Sequence, residues 1–276
     1  MKKRNIIAIL SALLMGGTLA GCATKINTVQ EEHNNEIHEE LPAEEEIPST
    51  QIPEIPEITI PEPPKVTTVS YIKVTADGVN IRSGAGTGYS ALGTAEKSTL
   101  YALLGEENGF YKTNYKNKTV YISKKYCEKY EMQKSDDTIE AVIAEGTKCL
   151  GVPYVYGATR LHDGKGNMYK GFTTNAFDCS SLMQYMFYRG ADRLLDVNTR
   201  TQIYQGTTVS KSNLKRGDLI FFTNASRKNN KGIERVGHVA MYLGDNYILH
   251  TASDYAKIEQ ISSTRWSYYI QTQRMI

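Results

Sequence analysis

Asn175-Ala176-Phe177-Asp178-Cys179-Ser180-Ser181-Leu182-Met183-Gln184-Tyr185-Met186 decides the reading of the C-terminal half of this chain. An Asp followed by small polar residues, then by apolar residues at helical spacing, reads as a capped helix. Asp178 is the N-cap candidate, and Cys179, Leu182, Met183 and Met186 share one face. A thiol in the first turn of a helix feels the positive end of the helix dipole, which favours thiolate. Backbone N–H groups in that turn lack helical partners and can face a developing oxyanion. Cys179 is therefore the candidate nucleophile. Cys149, expected within an earlier helix and close to its apolar face, reads as a small buried hydrophobe.

Working outward, Ser135-Asp136 caps an expected helix with apolar positions at Ile139, Val142, Ile143 and Leu150, and Gly151-Val152-Pro153-Tyr154 breaks it. Downstream, Asp218 to Phe222 is a short buried run, Val236 to Leu243 alternates, and Asn246 to Thr251 completes a hairpin. The histidines of this region are His162, His238 and His250. With a three-residue loop, Gly244-Asp245-Asn246, Leu243 opposes Tyr247, His238 opposes Ala252 and His250 opposes Ala240. The two His are then diagonal neighbours on one face, roughly 7 Å apart between Cα atoms. A two-residue loop places them on opposite faces unless a bulge intervenes. In the first geometry His238 takes the thiol proton and His250 orients its ring, the nucleophile–base–orienter arrangement of cysteine hydrolases.

These residues resemble the NlpC-type family of papain-like bacterial cell-wall endopeptidases. The resemblance runs through Gly151-Val152-Pro153-Tyr154-Val155-Tyr156-Gly157, Phe177 to Leu182, Arg200-Thr201 with Gln205-Gly206, Leu214 to Phe222, Gly237 to Gly244 and Ile248-Leu249-His250. It implies cleavage between γ-D-glutamate and the L-diamino acid of peptidoglycan stem peptides or muropeptides, with no cofactor or metal. It implies Cys179 as nucleophile, His238 as base and His250 as third member. It also implies a substrate surface from Tyr154, Tyr156, Asp178, Ser180, Ser181 and Arg200. Three features depart from the family pattern: Ser181 and Ala158 where Gly is usual, and a long stretch from 158 to 176. A second polar insert, 224–234, brings Arg227, Lys228 and Lys231. Such inserts either reshape the cleft or are solvated loops.

Upstream, Val69 to Tyr130 reads as short strands and turns, including a hairpin turn at Lys116-Asn117-Lys118. Val79 to Gly84, Asn108 to Lys112 and Val120 to Tyr126 resemble the bacterial SH3-like domain, which implies wall binding or a wall built against the catalytic cleft. The expected fold class is α+β: an SH3-like barrel over 69–131, followed by a papain-like (NlpC-type) domain over 135–276.

Charge divides the rest. Residues 31–62 hold eleven Glu and no Lys or Arg in a chain of net charge +2, so the folded part is basic. Residues 23–68, rich in Glu and Pro and without aromatics, are expected to form a disordered tether, with polyproline II over the Ile-Pro-Glu repeat at 52–57. Met1-Lys2-Lys3-Arg4, a short apolar stretch and Leu19-Ala20-Gly21-Cys22 read as an export signal. The closing tetrad resembles a lipoprotein signal, which implies a lipid on Cys22 and an extracytoplasmic, membrane-anchored location. The four Cys exclude a disulfide-dense scaffold, and no zinc-type Cys-x-x-Cys pair occurs. No nucleic-acid recognition motif is present.

Overall fold

The computed structural model describes residues 66–276. The expected lipoprotein signal and nearly all of the expected tether lie outside them. The described residues belong to one compact unit, Pro61–Ile276.

The barrel is built from β1 (Thr68–Val74), β2 (Val79–Arg82), β3 (Ala91–Ala95), β4 (Leu100–Ala102), β5 (Gly105–Glu107), β6 (Phe110–Tyr115), β7 (Lys118–Ser123) and β8 (Cys127–Gln133). They form two sheets, ordered β4-β1-β8 and β3-β2-β7-β6-β5. Alternation in β6 buries Tyr111, Thr113 and Tyr115 on one side. Lys116 and Asn117 both take positive φ, which gives the tight two-residue connection that matches strand twist.

The second part starts with α1 (Asp137–Lys148), capped as expected by Asp136, whose carboxylate accepts from Ile139 N–H at 2.9 Å. Cys149 is not inside this helix. It is the C-cap residue, and it is fully buried. α2 (Cys179–Ala191) crosses α1 closely because Gly190 lies against the Val142 backbone: a Cβ there would stand 2.4 Å from Val142 Cα. After the short α3 (Thr199–Gln202) comes a six-stranded sheet, ordered β13-β12-β11-β10-β14-β9. Its strands are β9 (Thr207–Val209), β10 (Leu219–Phe222), β11 (His238–Gly244), β12 (Tyr247–Ala252), β13 (Tyr255–Gln260) and β14 (Tyr269–Arg274), with α4 (Ser263–Ser267) before the last. Alternation divides the sheet's two faces. Val239, Met241 and Leu249 face the large core that includes α2. Ala240 and Ile248 join Phe222 and Ile261 on the other side.

The β11–β12 connection corrects the three-residue loop. Asp245 and Asn246 alone form the turn, both at positive φ. A register shift between Tyr242 and Gly244 then absorbs one residue, so that Met241 pairs with Leu249. This bulge restores the expected register, and His238 and His250 keep the same face.

The barrel and the sheet domain share one hydrophobic core. Arg216, buried, donates to both Glu140 oxygens (2.6 and 2.9 Å), to Tyr71 Oη (2.6 Å) and to Leu243 O (2.8 Å), which ties β1 to α1 and β11. The β6–β7 turn reaches the end of α1, where Asn117 N–H donates to Lys148 O and Lys116 N–H to Leu150 O. These bonds satisfy carbonyls that a helix terminus otherwise leaves open.

Candidate active site

Cys179 occupies the first turn of α2, and its cap is more elaborate than one Asp. Asp178 accepts from Ser181 N–H at 2.8 Å, while Asp178 N–H donates to Ser181 Oγ at 2.9 Å, a reciprocal capping box. The same carboxylate accepts from Ser180 Oγ (3.0 Å), Gly157 N–H (3.2 Å) and Arg160 Nη2 (2.6 Å). The expectation that Ser181 belongs to the substrate surface is therefore corrected. Its hydroxyl turns back into the cap and the residue is fully buried. Asp178 and Ser180 do line the cleft, but their polar atoms are bonded within the protein.

Arg160, from the long stretch 158–176, also donates to Val197 O at 2.8 Å. That stretch is thus anchored beneath the helix start rather than solvated throughout, and His162 within it is buried. The second insert contributes as well: Arg227 lines the same cleft and pairs with Glu234 at 3.0 Å.

Cys179 is 7% exposed and lines a cavity of about 170 Å³ together with Tyr154, Tyr156, Arg200 and Gly237. A second cavity of about 320 Å³ holds His238 and Arg265, and it shares Tyr154 and Gly237 with the first. The two hollows meet at those residues, one on the thiol side and one on the imidazole side. A larger hollow, about 570 Å³ between β8 and the β11–β12 turn, holds none of the candidate residues. Tyr156 stands 80% exposed at the mouth of the cleft. Arg200 is paired at 3.5 Å with Glu234.

Electrostatics correct one expectation. Burial pushes the Cys179 thiol up to about 12, and the Asp178 carboxylate adds to the rise. The Val239 and Ser180 backbone N–H groups and the Arg160 charge work in the opposite direction but are outweighed. Desolvation thus works against the thiolate that the first turn of α2 favours. Val239 directly follows His238 on β11, and Gly237, which precedes His238, lines both the Cys179 and the His238 cavities. No hydrogen bond joins Cys179 to His238 among the described residues, as is common before substrate tightens a site.

His238 Nε2 lies 3.0 Å from His250 Nδ1, and His250 Nε2 lies 2.9 Å from Glu259 Oε1. Burial holds both imidazoles below the ordinary histidine range, His238 well below it. The His250 and Arg265 charges depress His238 further. Glu259 is a residue that sequence reasoning missed. Because His250 pairs with Lys257, Glu259 is its diagonal neighbour on β13. Finding it requires the β12–β13 register, and β13 carries no strong turn signal. Arg160 likewise sits in a stretch with no helical or strand period.

Residues 151–275 match the NlpC/P60 family. The chain carries an NlpC/P60 domain. Residues 77–128 match the bacterial SH3 domain. Over 137 residues, 49% of this chain, it is 32% identical to the peptidoglycan endopeptidase RipA of Mycolicibacterium smegmatis, 25% of which is covered. It is 26% identical to the gamma-D-glutamyl-L-lysine dipeptidyl-peptidase of Bacillus subtilis over 172 residues, 62% of this chain and 50% of that protein. A crystal structure of an NlpC/P60 family protein from Bacillus cereus aligns over 75% of this chain and 63% of its own, at 22% identity and a TM-score of 0.40. The chain spans half or less of the length of these two curated relatives. Within the NlpC/P60 domain, the structure brings Cys179, His238, His250, Tyr154, Tyr156 and Arg200 to the two joined cavities and their rear wall, and it leaves Ser181 behind them.

Proposed function

We propose that the chain is a cysteine endopeptidase of the cell envelope that hydrolyses peptidoglycan stem peptides. The bond cut is the one between γ-D-glutamate and the L-diamino acid, and a lipid on Cys22 anchors the protein outside the membrane. One observation carries the reaction class: Cys179, in the first turn of α2, lines a cavity that shares Tyr154 and Gly237 with the cavity of His238, whose Nε2 is held by His250. The names of the relatives, an endopeptidase of peptidoglycan and a peptidase of γ-D-glutamyl-L-lysine, support the substrate class. The Cys22 tetrad supports the anchor. The basic folded part suits anionic wall polymers.

In this reading, His238 takes the thiol proton as the sulfur attacks the scissile carbonyl. A neutral thiol beside a neutral imidazole needs that transfer at the moment of attack. The Cys179 backbone N–H holds the oxyanion. Tyr154 provides a second donor, because burial, with Cys179 and Asp178 nearby, pushes its hydroxyl up to about 12 and keeps it protonated. His238 then gives its proton to the leaving amine and activates water to release the acyl-enzyme.

The test is to incubate residues 66–276 with purified muropeptides and identify the products by mass spectrometry, with Cys179→Ala alongside. New termini at the γ-D-glutamyl bond, absent from the variant, are expected. Binding of intact wall without cleavage of any fragment would make the chain a wall-binding protein instead. His238→Ala is expected to cost more turnover than His250→Ala, and equal losses would overturn that ranking.

A further inference from the structure

His238, His250 and Glu259 lie on one face of three adjacent strands, β11, β12 and β13, in an unbroken chain of contacts at 3.0 and 2.9 Å. Arg265, from α4, approaches the same Glu259 oxygen at 3.2 Å. Chemistry restricts where protons can sit along this chain. An ionised carboxylate only accepts hydrogen bonds, so His250 Nε2 must carry its proton toward Glu259. A neutral His250 then has a bare Nδ1, which can only accept. The contact with His238 Nε2 therefore requires a proton on that nitrogen. A neutral His238 protonated at Nε2 has a bare Nδ1. This is the ring nitrogen that His250 leaves free, and so the one available to the thiol.

We propose that Glu259 is a positioning residue that sets the tautomers of both histidines, so that His238 always presents a bare Nδ1 to the thiol. The proposal rests on the cysteine-hydrolase reading only for its consequence in turnover. The proton pattern itself is a property of the three side chains. When the thiol proton moves to His238 Nδ1, no further proton needs to transfer. The imidazolium keeps its Nε2–H bond to His250, and Glu259, one ring away, supplies the compensating charge. Glu259 is suited to this. Burial raises its carboxyl, but the His250 N–H and the Arg265 and Lys257 charges work against burial, and the carboxyl lies at about 2. Arg265 pairs with the same carboxylate at 3.2 Å, and that carboxylate is only partly shielded from solvent. Without the charge, His250 is free to protonate on Nδ1. His238 then loses its Nε2 proton to keep the contact, carries the remaining proton on Nδ1, and can no longer accept from the thiol.

The experiment uses the full chain labelled with nitrogen-15. Long-range proton–nitrogen correlation reads each ring tautomer, with the rings assigned by single His→Gln variants. The expected result is that both His238 and His250 carry the proton on Nε2, that Glu259→Gln shifts one or both toward Nδ1–H, and that Glu259→Asp restores the original pattern. In muropeptide turnover, Glu259→Gln is expected to lower kcat roughly 10- to 100-fold with KM nearly unchanged. This stays below the ~10⁴-fold loss seen where a wrong tautomer is enforced in a serine protease. An Nδ1–H tautomer on either ring in the unaltered chain would overturn the proposal, as would tautomers that Glu259→Gln does not move. If the unaltered chain shows the expected tautomers but cuts no muropeptide, the hydrolase reading fails and the tautomer assignment stands.

Discussion

Arg160 Nη2 lies 2.6 Å from Asp178 Oδ2, directly beneath the helix turn that carries Cys179. Asp178 faces two demands. Its carboxylate caps α2, but its negative charge also raises the thiol pKa, and Arg160 opposes that rise. Replacing Arg160 by Ala leaves a largely buried carboxylate without its cation, which costs about 3 kcal/mol in comparable pairs. The thiol should also be pushed further up. Denaturant melts should show the lost stability, and alkylation of Cys179 by iodoacetamide at pH 7 should slow relative to the unaltered chain.

Buried histidines set the acid limb of stability. His238 and His250 are held below their ordinary 6.5, so the unfolded chain binds more protons than the folded one as pH falls through that value. Stability should therefore decline from about pH 6.5 downward, by at most about 1.4 kcal/mol per pH unit for each group. Glu259, lowered from 4.5 to about 2, adds a second loss that begins below its unfolded value. Urea midpoints measured from pH 8 to pH 3 should bend near 6.5 and again near 4.5. His250→Gln should flatten the first bend.

Turnover and alkylation should separate in their pH dependence. Alkylation needs thiolate, so with the thiol pushed up to about 12 its rate should keep rising through pH 9 without a plateau. Hydrolysis needs a neutral His238, and burial keeps that ring neutral well below pH 6.5, so the acid limb of kcat/KM should lie there. A plateau in alkylation near pH 7 would mean that the resting sulfur is already a thiolate.

Gly151 sits at φ +79, and a Cβ there would stand 2.0 Å from the Tyr115 ring of the barrel. Gly151→Ala should destabilise by about 3 kcal/mol, part from the backbone conformation and part from displacing the ring. In the Tyr115→Ala background only the backbone part, roughly 1 kcal/mol, should remain. A thermodynamic cycle over the two sites should thus show strong coupling between barrel and NlpC/P60 domain.

Arg216 makes the same connection by charge. Arg216→Ala leaves Glu140 and Tyr71 Oη facing an apolar seam, at a cost of about 3 kcal/mol. Thermal unfolding of the unaltered described portion should follow one transition. The variant should show earlier proteolytic release of the barrel.

Much of the site was legible because the signals were local. An N-cap is a property of four consecutive residues, so the start of α2 at Cys179 followed from Asp178 and the apolar spacing behind it. The shared face of His238 and His250 was expected from strand parity, but through the wrong loop. One bulged residue compensated for a shorter turn, and a bulge leaves no mark in alternation. Strands β9, β13 and β14 went unforeseen. β9 and β13 are the sheet's two edges and β14 lies beside β9; β13 does alternate, with Ala256 and Ile258 buried.

The sequence by itself determined on which elements the candidate residues sit: Cys179 opening a helix, and His238 and His250 on neighbouring strands. These follow from period and capping, which act over a few residues. Only the tertiary structure decided the state of those groups. Glu259 reaches His250 from a third strand, Arg160 returns from a loop to pair with the Asp178 cap, and burial works against thiolate at the helix start. Desolvation and cross-strand contact depend on segments far apart in the chain, so no local pattern in the sequence encodes them.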